Sequence, residues 1–144
     1  MDVRIPPDEL NPRPPITVLL AEDEVLLRMV IADDISALGW VVVEASSADE
    51  AIALLFSGLE FDLLLTDVHM PGKNDGLDLA RLVRAERPAV RIAVMSGILK
   101  PEAGHADLYD IFLPKPVSDV IEPLKELAGT CVEMRPSRSL VVRR

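Results

Sequence analysis

The chain has 144 residues, of which 49% are hydrophobic, and it carries a formal net charge of −9. This length fits one domain with one core, and the hydrophobic content excludes disorder across the whole chain. No apolar run approaches the roughly 20 residues of a membrane-spanning helix, and the proline-rich residues 1–15 lack the apolar core of a secretory signal.

The charge is unevenly distributed. Residues 16–129 contain 9 Lys and Arg against 20 Asp and Glu, which gives −11, whereas residues 130–144 contain 4 against 1, which gives +3. An acidic body repels phosphate backbones, so we expect no nucleic-acid binding. Cys131 is the single cysteine, so an internal disulfide is excluded, and a reducing, cytoplasmic setting fits.

Hydrophobic periodicity and turn residues predict strands that alternate with helices. The predicted strands are residues 16–21, 40–43, 63–65, 91–95 and 111–113, and the predicted helices are 25–38, 48–56, 77–86 and 123–128, with a short further helix between 101 and 108. The third strand is an apolar run bounded by turn residues, which is typical of a strand buried on both faces, and we expect the second strand to be buried too. Pro123 and Gly129 bound the last helix.

This alternation predicts an α/β fold with a doubly wound five-stranded parallel sheet. We adopt the flavodoxin-like strand order 2-1-3-4-5 as a hypothesis, since spacing alone does not prove it. The folded body would be residues 16–129, between a proline-rich arm at 1–15 and a flexible tail at 130–144.

Four predicted strands end in a chemically distinctive group. Glu22 and Asp23 follow the first strand, Asp67 the third, Ser96 the fourth and Lys115 the fifth. Because the carboxyl ends of parallel strands lie at one edge of the sheet, we expect these side chains to converge.

Carboxylates that converge there would repel each other. Two of them about 4 Å apart repel by roughly 4 kcal/mol at an effective dielectric constant of about 20. Either one of them keeps its proton at neutral pH, or a cation resolves the conflict, and Mg²⁺ prefers such oxygen ligands. With Asp67 as nucleophile, Lys115 as a cation and Ser96 as a hydrogen-bond donor, the set matches a phosphoryl-transfer site.

Four motifs, each at a strand end, resemble those of receiver domains in two-component response regulators. They are VLLAEDE at 18–24, LLTDVHMP at 64–71, VMSG at 94–97 and LPKP at 113–116. The resemblance covers about residues 16–128. It implies a chemotaxis-regulator-like receiver of the single-domain type, which acts as a signalling module that catalyses its own phosphorylation and dephosphorylation. We expect no DNA-binding output domain, because the 15 residues after Gly129 are too few to form one.

By this resemblance, Asp67 accepts a phosphoryl group from a histidine kinase or a histidine phosphotransfer protein. Glu22, Asp23, Asp67 and the backbone carbonyl of His69 would hold Mg²⁺. Glu22 replaces the aspartate that is commoner in the family and gives a longer reach to the same metal.

The resemblance also implies a switch. Ser96 would be the switch hydroxyl, Lys115 the phosphate-binding cation, and Phe112 the aromatic side chain that turns inward on activation. Phe112 lacks the hydroxyl of a tyrosine, so its movement would depend on packing. His69 and Ile98 occupy the positions that tune dephosphorylation in such domains.

The expected downstream partner is an unidentified protein, a homodimer stays open, and no membrane partner is expected. A receiver could also serve as a phosphate sink or shuttle. A phosphatase of the haloacid-dehalogenase type would carry an Asp-x-Asp pattern, but this chain has His69 where the second aspartate would stand. A flavin or nucleotide binder would need glycines where the chain has Glu22-Asp23-Glu24.

Overall fold

The computed structural model describes residues 14–97 and 107–134. The strands are β1 (Thr17–Ala21), β2 (Val41–Ala45), β3 (Leu63–Asp67), β4 (Arg91–Ser96) and β5 (Ile111–Pro114), and the helices are α1 (Val25–Ser36), α2 (Ala48–Phe56), α3 (Gly76–Glu86) and α4 (Ile121–Met134). Most of the predicted arm, most of the short helix expected between 101 and 108, and Ile98 lie outside the described residues. Within the described ranges, none of the helices combines the length and apolar character needed to cross a bilayer.

The five strands form one parallel sheet in the order β2-β1-β3-β4-β5. The predicted α/β class and the strand order are therefore confirmed. The register places Ala21 of β1 beside Thr66 of β3, and Asp67 beside Met95 of β4. The carboxyl ends of β1, β3 and β4 are thus neighbours, which positions the residues that follow them.

Each face of the sheet packs against two helices, because successive residues of a strand point to opposite faces. On one face the core joins Leu19, Leu64 and Ile92 of the sheet to Leu55 of α2 and Leu79 of α3. On the other face it joins Leu20, Leu65 and Met95 to Ile35 of α1 and Leu124 of α4. Burial of each such side chain contributes about 1.5–3 kcal/mol to folding, so the two cores hold the sheet edge in place from both sides.

The prediction of a buried second strand was wrong in its burial and slightly in its bounds. β2 runs over Val41–Ala45 and forms an edge of the sheet. Val41 is 44% exposed, and only Ala45 is fully buried. An apolar run is the same in sequence whether the strand lies at the centre or at the edge, so the run could not distinguish the two.

The last helix is longer than predicted at both ends. α4 begins at Ile121, so Pro123 lies in its first turn, where backbone N–H groups have no partner inside the helix and proline is tolerated. Gly129 lies inside the helix and does not end it. A helical glycine costs only about 1 kcal/mol relative to alanine, which the packing of the helix can offset. Residues 130–134 are therefore helical, although we expected them to belong to the tail.

Candidate functional site

The candidate site lies at the carboxyl edge of the sheet, where β1 and β3 end side by side. Glu22 and Asp23 follow the last residue of β1, and Asp67 is itself the last residue of β3. One carboxylate oxygen from each of the three residues lies within 4.8 Å of the others. Glu22 is completely buried, Asp67 is 6% exposed, and Asp23 faces solvent.

Lys115 joins the two buried acids from the end of β5. Its ammonium Nζ lies 2.9 Å from Oε1 of Glu22 and 3.1 Å from Oδ2 of Asp67. The backbone N–H of Lys115 donates a 2.8 Å hydrogen bond to the carbonyl oxygen of Ser96, which ties the end of β5 to the end of β4. Four strands thus contribute to one small polar site.

Burial and neighbouring charges shift the pKa values at this site. Burial raises the pKa of the Glu22 carboxyl, and hydrogen bonds from Lys115 and from the backbone N–H of Glu24 oppose that rise only in part. Burial alone would lower the pKa of the Lys115 ammonium, but its hydrogen bonds to Glu22 and Asp67 outweigh burial and raise it. Lys115 is therefore charged, and the cluster favours additional positive charge.

The donor set fits a hard divalent cation. The three carboxylates and one ammonium leave a formal charge of −2, and each carboxylate pair within 4.8 Å repels by about 3.5 kcal/mol or more at an effective dielectric constant of about 20. The potential ligands are all oxygens and one acid is open to solvent, as Mg²⁺ requires because it keeps several of its waters.

The other residues named from the sequence lie around this cluster. Ser96 is buried at the end of β4, next to the strand that carries Asp67. Phe112 is half-buried in β5, and its ring lies 6.3 Å from that of Tyr109 between centroids. His69 is exposed on the loop after β3, two residues beyond Asp67. The role of its carbonyl group stays a prediction.

Two residues that support the site were not identified from the sequence. Gly76 begins α3 so close to β3 that a Cβ there would overlap the carbonyl oxygen of Asp67. Its signal was the Asp75-Gly76 pair, since Asp75 caps the helix with its side chain. The Nη1 of Arg28 donates a 2.8 Å hydrogen bond to the carbonyl oxygen of Glu22, and no sequence pattern indicated this contact.

Comparisons with known proteins agree with this geometry. A family model described as the response regulator receiver domain matches residues 18–120. The sensor kinase CckA of Brucella abortus (strain 2308) is 38% identical over 122 residues, which cover 82% of this chain and 12% of that protein. The chain therefore spans only about an eighth of that relative's length.

Solved structures show the same fold. A response regulator receiver protein from Sinorhizobium medicae WSM419 is 28% identical, with a TM-score of 0.70 and coverage of 85% of this chain and 98% of that chain. Response regulator protein TrrA from Thermotoga maritima in complex with Mg²⁺-BeF matches with a TM-score of 0.64 at 23% identity, covering 81% and 98%. The structure of histidine kinase ThkA in complex with TrrA matches with a TM-score of 0.68 at 24% identity, again covering 81% and 98%. The match of the family model to most of the described residues shows that this chain belongs to the response regulator receiver domain family of two-component signalling.

Proposed function

We propose that this chain is a phosphoacceptor module in which Asp67 takes a phosphoryl group from a phosphohistidine donor in a Mg²⁺-dependent reaction. The observation that supports this most directly is the buried Asp67 carboxylate, 3.1 Å from the Lys115 ammonium and beside the carboxylates of Glu22 and Asp23. A carboxylate in this position has a fixed orientation and a neighbouring cation that can bind phosphate oxygens.

In the transfer step, a carboxylate oxygen of Asp67 forms a bond to phosphorus as the bond from phosphorus to the donor imidazole nitrogen breaks. The imidazole leaves with that electron pair and ends as neutral histidine after it takes up a proton. Lys115, which already contacts Oδ2 of Asp67, would then bind an oxygen of the transferred group. Glu22, Asp23, Asp67 and the carbonyl of His69 would hold Mg²⁺, which would supply further positive charge to the site.

The response would start at Ser96, whose hydroxyl would donate a hydrogen bond to the new phosphoryl group. Phe112 packs only in part against the core on the α2–α3 side, so an inward turn, which we propose for it, would bury more of its ring. The downstream protein target is unidentified. The single-domain organisation, the cytoplasmic setting, a homodimer and the phosphate-sink alternative stay predictions, and the dephosphorylation roles of His69 and Ile98 do as well.

We propose a histidine kinase or a histidine phosphotransfer protein as the donor, and α1 as its docking surface. TrrA, which shares the fold, has been crystallised with a histidine kinase. Four exposed apolar side chains form a stripe on α1, namely Val25, Leu26, Met29 and Val30. A cavity of about 540 Å³ between α1 and the segment after β5 reaches from this helix to Lys115. An exposed apolar stripe beside a reactive site is typical of a protein-binding surface.

The test is phosphorylation of the purified protein with Mg²⁺ and a small phosphodonor such as acetyl phosphate, followed by intact-mass measurement. We expect an acid-stable, base-labile mass increase of one phosphate, which EDTA and Asp67→Asn each abolish. Asp33→Asn, which alters an exposed acid on α1, should leave the modification intact. An unmodified wild-type protein, or a modification that persists in Asp67→Asn, would refute the proposal. Rapid multiple-turnover ester hydrolysis would instead favour a phosphatase.

A further inference from the structure

The loop between Asp67 and α3 contains His69, whose backbone carbonyl is a predicted ligand of the metal. Its two ends are fixed by backbone hydrogen bonds, from the N–H of Val68 to the carbonyl of Met95 at 2.9 Å and from the N–H of Gly76 to the carbonyl of Val68 at 2.8 Å. These bonds hold the ends of the loop. They do not hold its outer part, at residues 71–74.

The outer part is held by the Asp49 side chain, from the first turn of α2. Oδ2 of Asp49 accepts a 2.8 Å hydrogen bond from the backbone N–H of Lys73. Oδ1 accepts two hydrogen bonds from Asn74, at 3.1 Å from the backbone N–H and at 2.8 Å from Nδ2. The contacts cross 24 and 25 residues of sequence, so a carboxylate of one helix fixes a loop that belongs to another part of the fold.

The loop is also shaped around this carboxylate. Gly72 has φ = +126°, and a Cβ at that position would lie 2.5 Å from Oδ2 of Asp49. A side chain at residue 72 would therefore displace either Asp49 or the loop. The Asn74 side chain, and after it the N–H of Lys73, lowers the pKa of the Asp49 carboxyl, which is ionised at neutral pH as these contacts require.

Capping of α2 does not require Asp49. Oγ of Ser47 accepts a 3.0 Å hydrogen bond from the backbone N–H of Glu50, and the carboxylate of Glu50 accepts one from the N–H of Ser46. Ser47 therefore caps the helix, and Glu50 satisfies the N–H of the residue before the cap. Each of the three hydrogen bonds that Asp49 accepts comes from the loop after β3.

We propose that Asp49 is a positioning residue for the metal site. By holding Lys73 and Asn74, it fixes the path of the loop and therefore the position of the His69 carbonyl beside Asp67. This inference rests on the proposed function, because it assigns Asp49 to the affinity of that site for Mg²⁺ and, through Mg²⁺, to the phosphorylation of Asp67.

The test compares Asp49→Asn with Ser47→Ala, a matched control that weakens the same helix without touching the loop. Mg²⁺ affinity of the unphosphorylated proteins is measured by titration calorimetry, and amide hydrogen exchange is measured at Lys73 and Asn74. We expect Asp49→Asn to bind Mg²⁺ about 10-fold more weakly, at the low end of the loss typical when the groups that support a ligand are changed. Exchange at both amides should accelerate. Ser47→Ala should lower the melting temperature yet change neither quantity.

The rate with acetyl phosphate gives a third readout. Asp49→Asn should require a higher Mg²⁺ concentration for half-maximal phosphorylation and approach the wild-type rate at saturating Mg²⁺. Equal Mg²⁺ affinity in wild type and Asp49→Asn, or an equal loss in Ser47→Ala, would overturn the inference and leave the proposed function standing. A wild-type protein that binds no Mg²⁺ would overturn both.

Discussion

Glu22 is a carboxylate that the fold buries completely at a cost to stability. Its pKa is raised because burial removes water from the charge, and the charge of Asp67 adds to the rise. A carboxyl whose pKa is higher in the folded protein than in the unfolded chain stabilises the fold fully below the unfolded-state pKa. That contribution is lost as the pH rises through the folded-state pKa. Ionised Glu22 is therefore unfavourable at neutral pH when no metal is bound.

We predict that Glu22→Gln stabilises the Mg²⁺-free protein at pH 7 by about 1 kcal/mol, which is within the range typical of single stabilising substitutions. The gain should shrink as the pH falls through the raised pKa toward the ordinary value of 4.5, because wild-type Glu22 is then protonated as well. Urea titrations across this pH range measure the difference. Glu86→Gln, at the exposed end of α3, should show no such trend. A destabilised Glu22→Gln at pH 7 would contradict this account.

At the scale of single elements, α3 and α4 each contain one glycine, and the surroundings of the two glycines differ completely. Gly76 is buried at the start of α3, and a Cβ there would overlap the backbone of Asp67. Gly129 is exposed inside α4, and a Cβ there meets no atom of the described residues within 4 Å. One position requires glycine for a close approach, and the other does not.

We predict opposite effects of alanine at the two positions. Gly76→Ala should lower the free energy of unfolding by about 2–4 kcal/mol, because α3 or the end of β3 has to move. Gly129→Ala should raise it by about 0.5–1 kcal/mol through helix propensity. Chemical denaturation of both variants measures the two shifts. If Gly76→Ala has wild-type stability, the close approach of α3 to Asp67 is wrong.

The apolar stripe on α1 predicts a defect that depends on the phosphodonor. Leu26 is the most exposed residue of the stripe, at 73%, and truncation of an interface residue that contributes to binding costs more than about 1 kcal/mol, or at least roughly 5-fold in affinity. Leu26→Gln should slow transfer from a phosphorylated histidine kinase while the rate with acetyl phosphate stays unchanged. Phe56→Gln, which alters another exposed apolar residue at the far end of α2, is the control. Equal slowing with both donors would exclude α1 as the docking surface.

Across the whole molecule, the parts that the sequence predicted well depend on local patterns. β3 was predicted because three leucines lie between turn residues, and the convergence of Glu22, Asp23 and Asp67 followed from parallel topology. The burial of β2 depends on its place at the sheet edge, which its own residues do not encode. The start of α4 was placed two residues too late, because Pro123 was taken as the first residue of the helix, whereas it is the third.

The supporting residues of the site were harder to predict, because their partners are distant in sequence. Asp49 belongs to α2 and contacts Lys73 and Asn74 only after α2 and α3 have packed side by side on one face of the sheet. In the sequence, Asp49 is an ordinary acidic residue in the first turn of a helix, where it also suits the helix dipole. Only the assembled fold distinguishes the two roles.

The last prediction concerns the stability of the molecule as a whole. A ligand that binds the folded state alone adds about 2.7 kcal/mol at a concentration 100 times its dissociation constant. For a domain of this size, that free energy corresponds to a rise of roughly 8 °C in melting temperature. We expect Mg²⁺ to produce such a rise in the wild-type protein, because the cation relieves the repulsion among the carboxylates of Glu22, Asp23 and Asp67. Without the cation, the fold has to keep these three groups together despite that repulsion.

The melting temperature should be measured against Mg²⁺ concentration in wild type, Asp23→Asn and Ser47→Ala. Asp23→Asn removes the solvent-facing ligand without disturbing the contacts of Lys115 with Glu22 and Asp67, so its Mg²⁺-free stability should change little while the rise in melting temperature falls. Ser47→Ala should start from a lower melting temperature and show the full rise. If Mg²⁺ stabilises Asp23→Asn as strongly as wild type, the cation binds somewhere other than the edge of the sheet where β1 and β3 end.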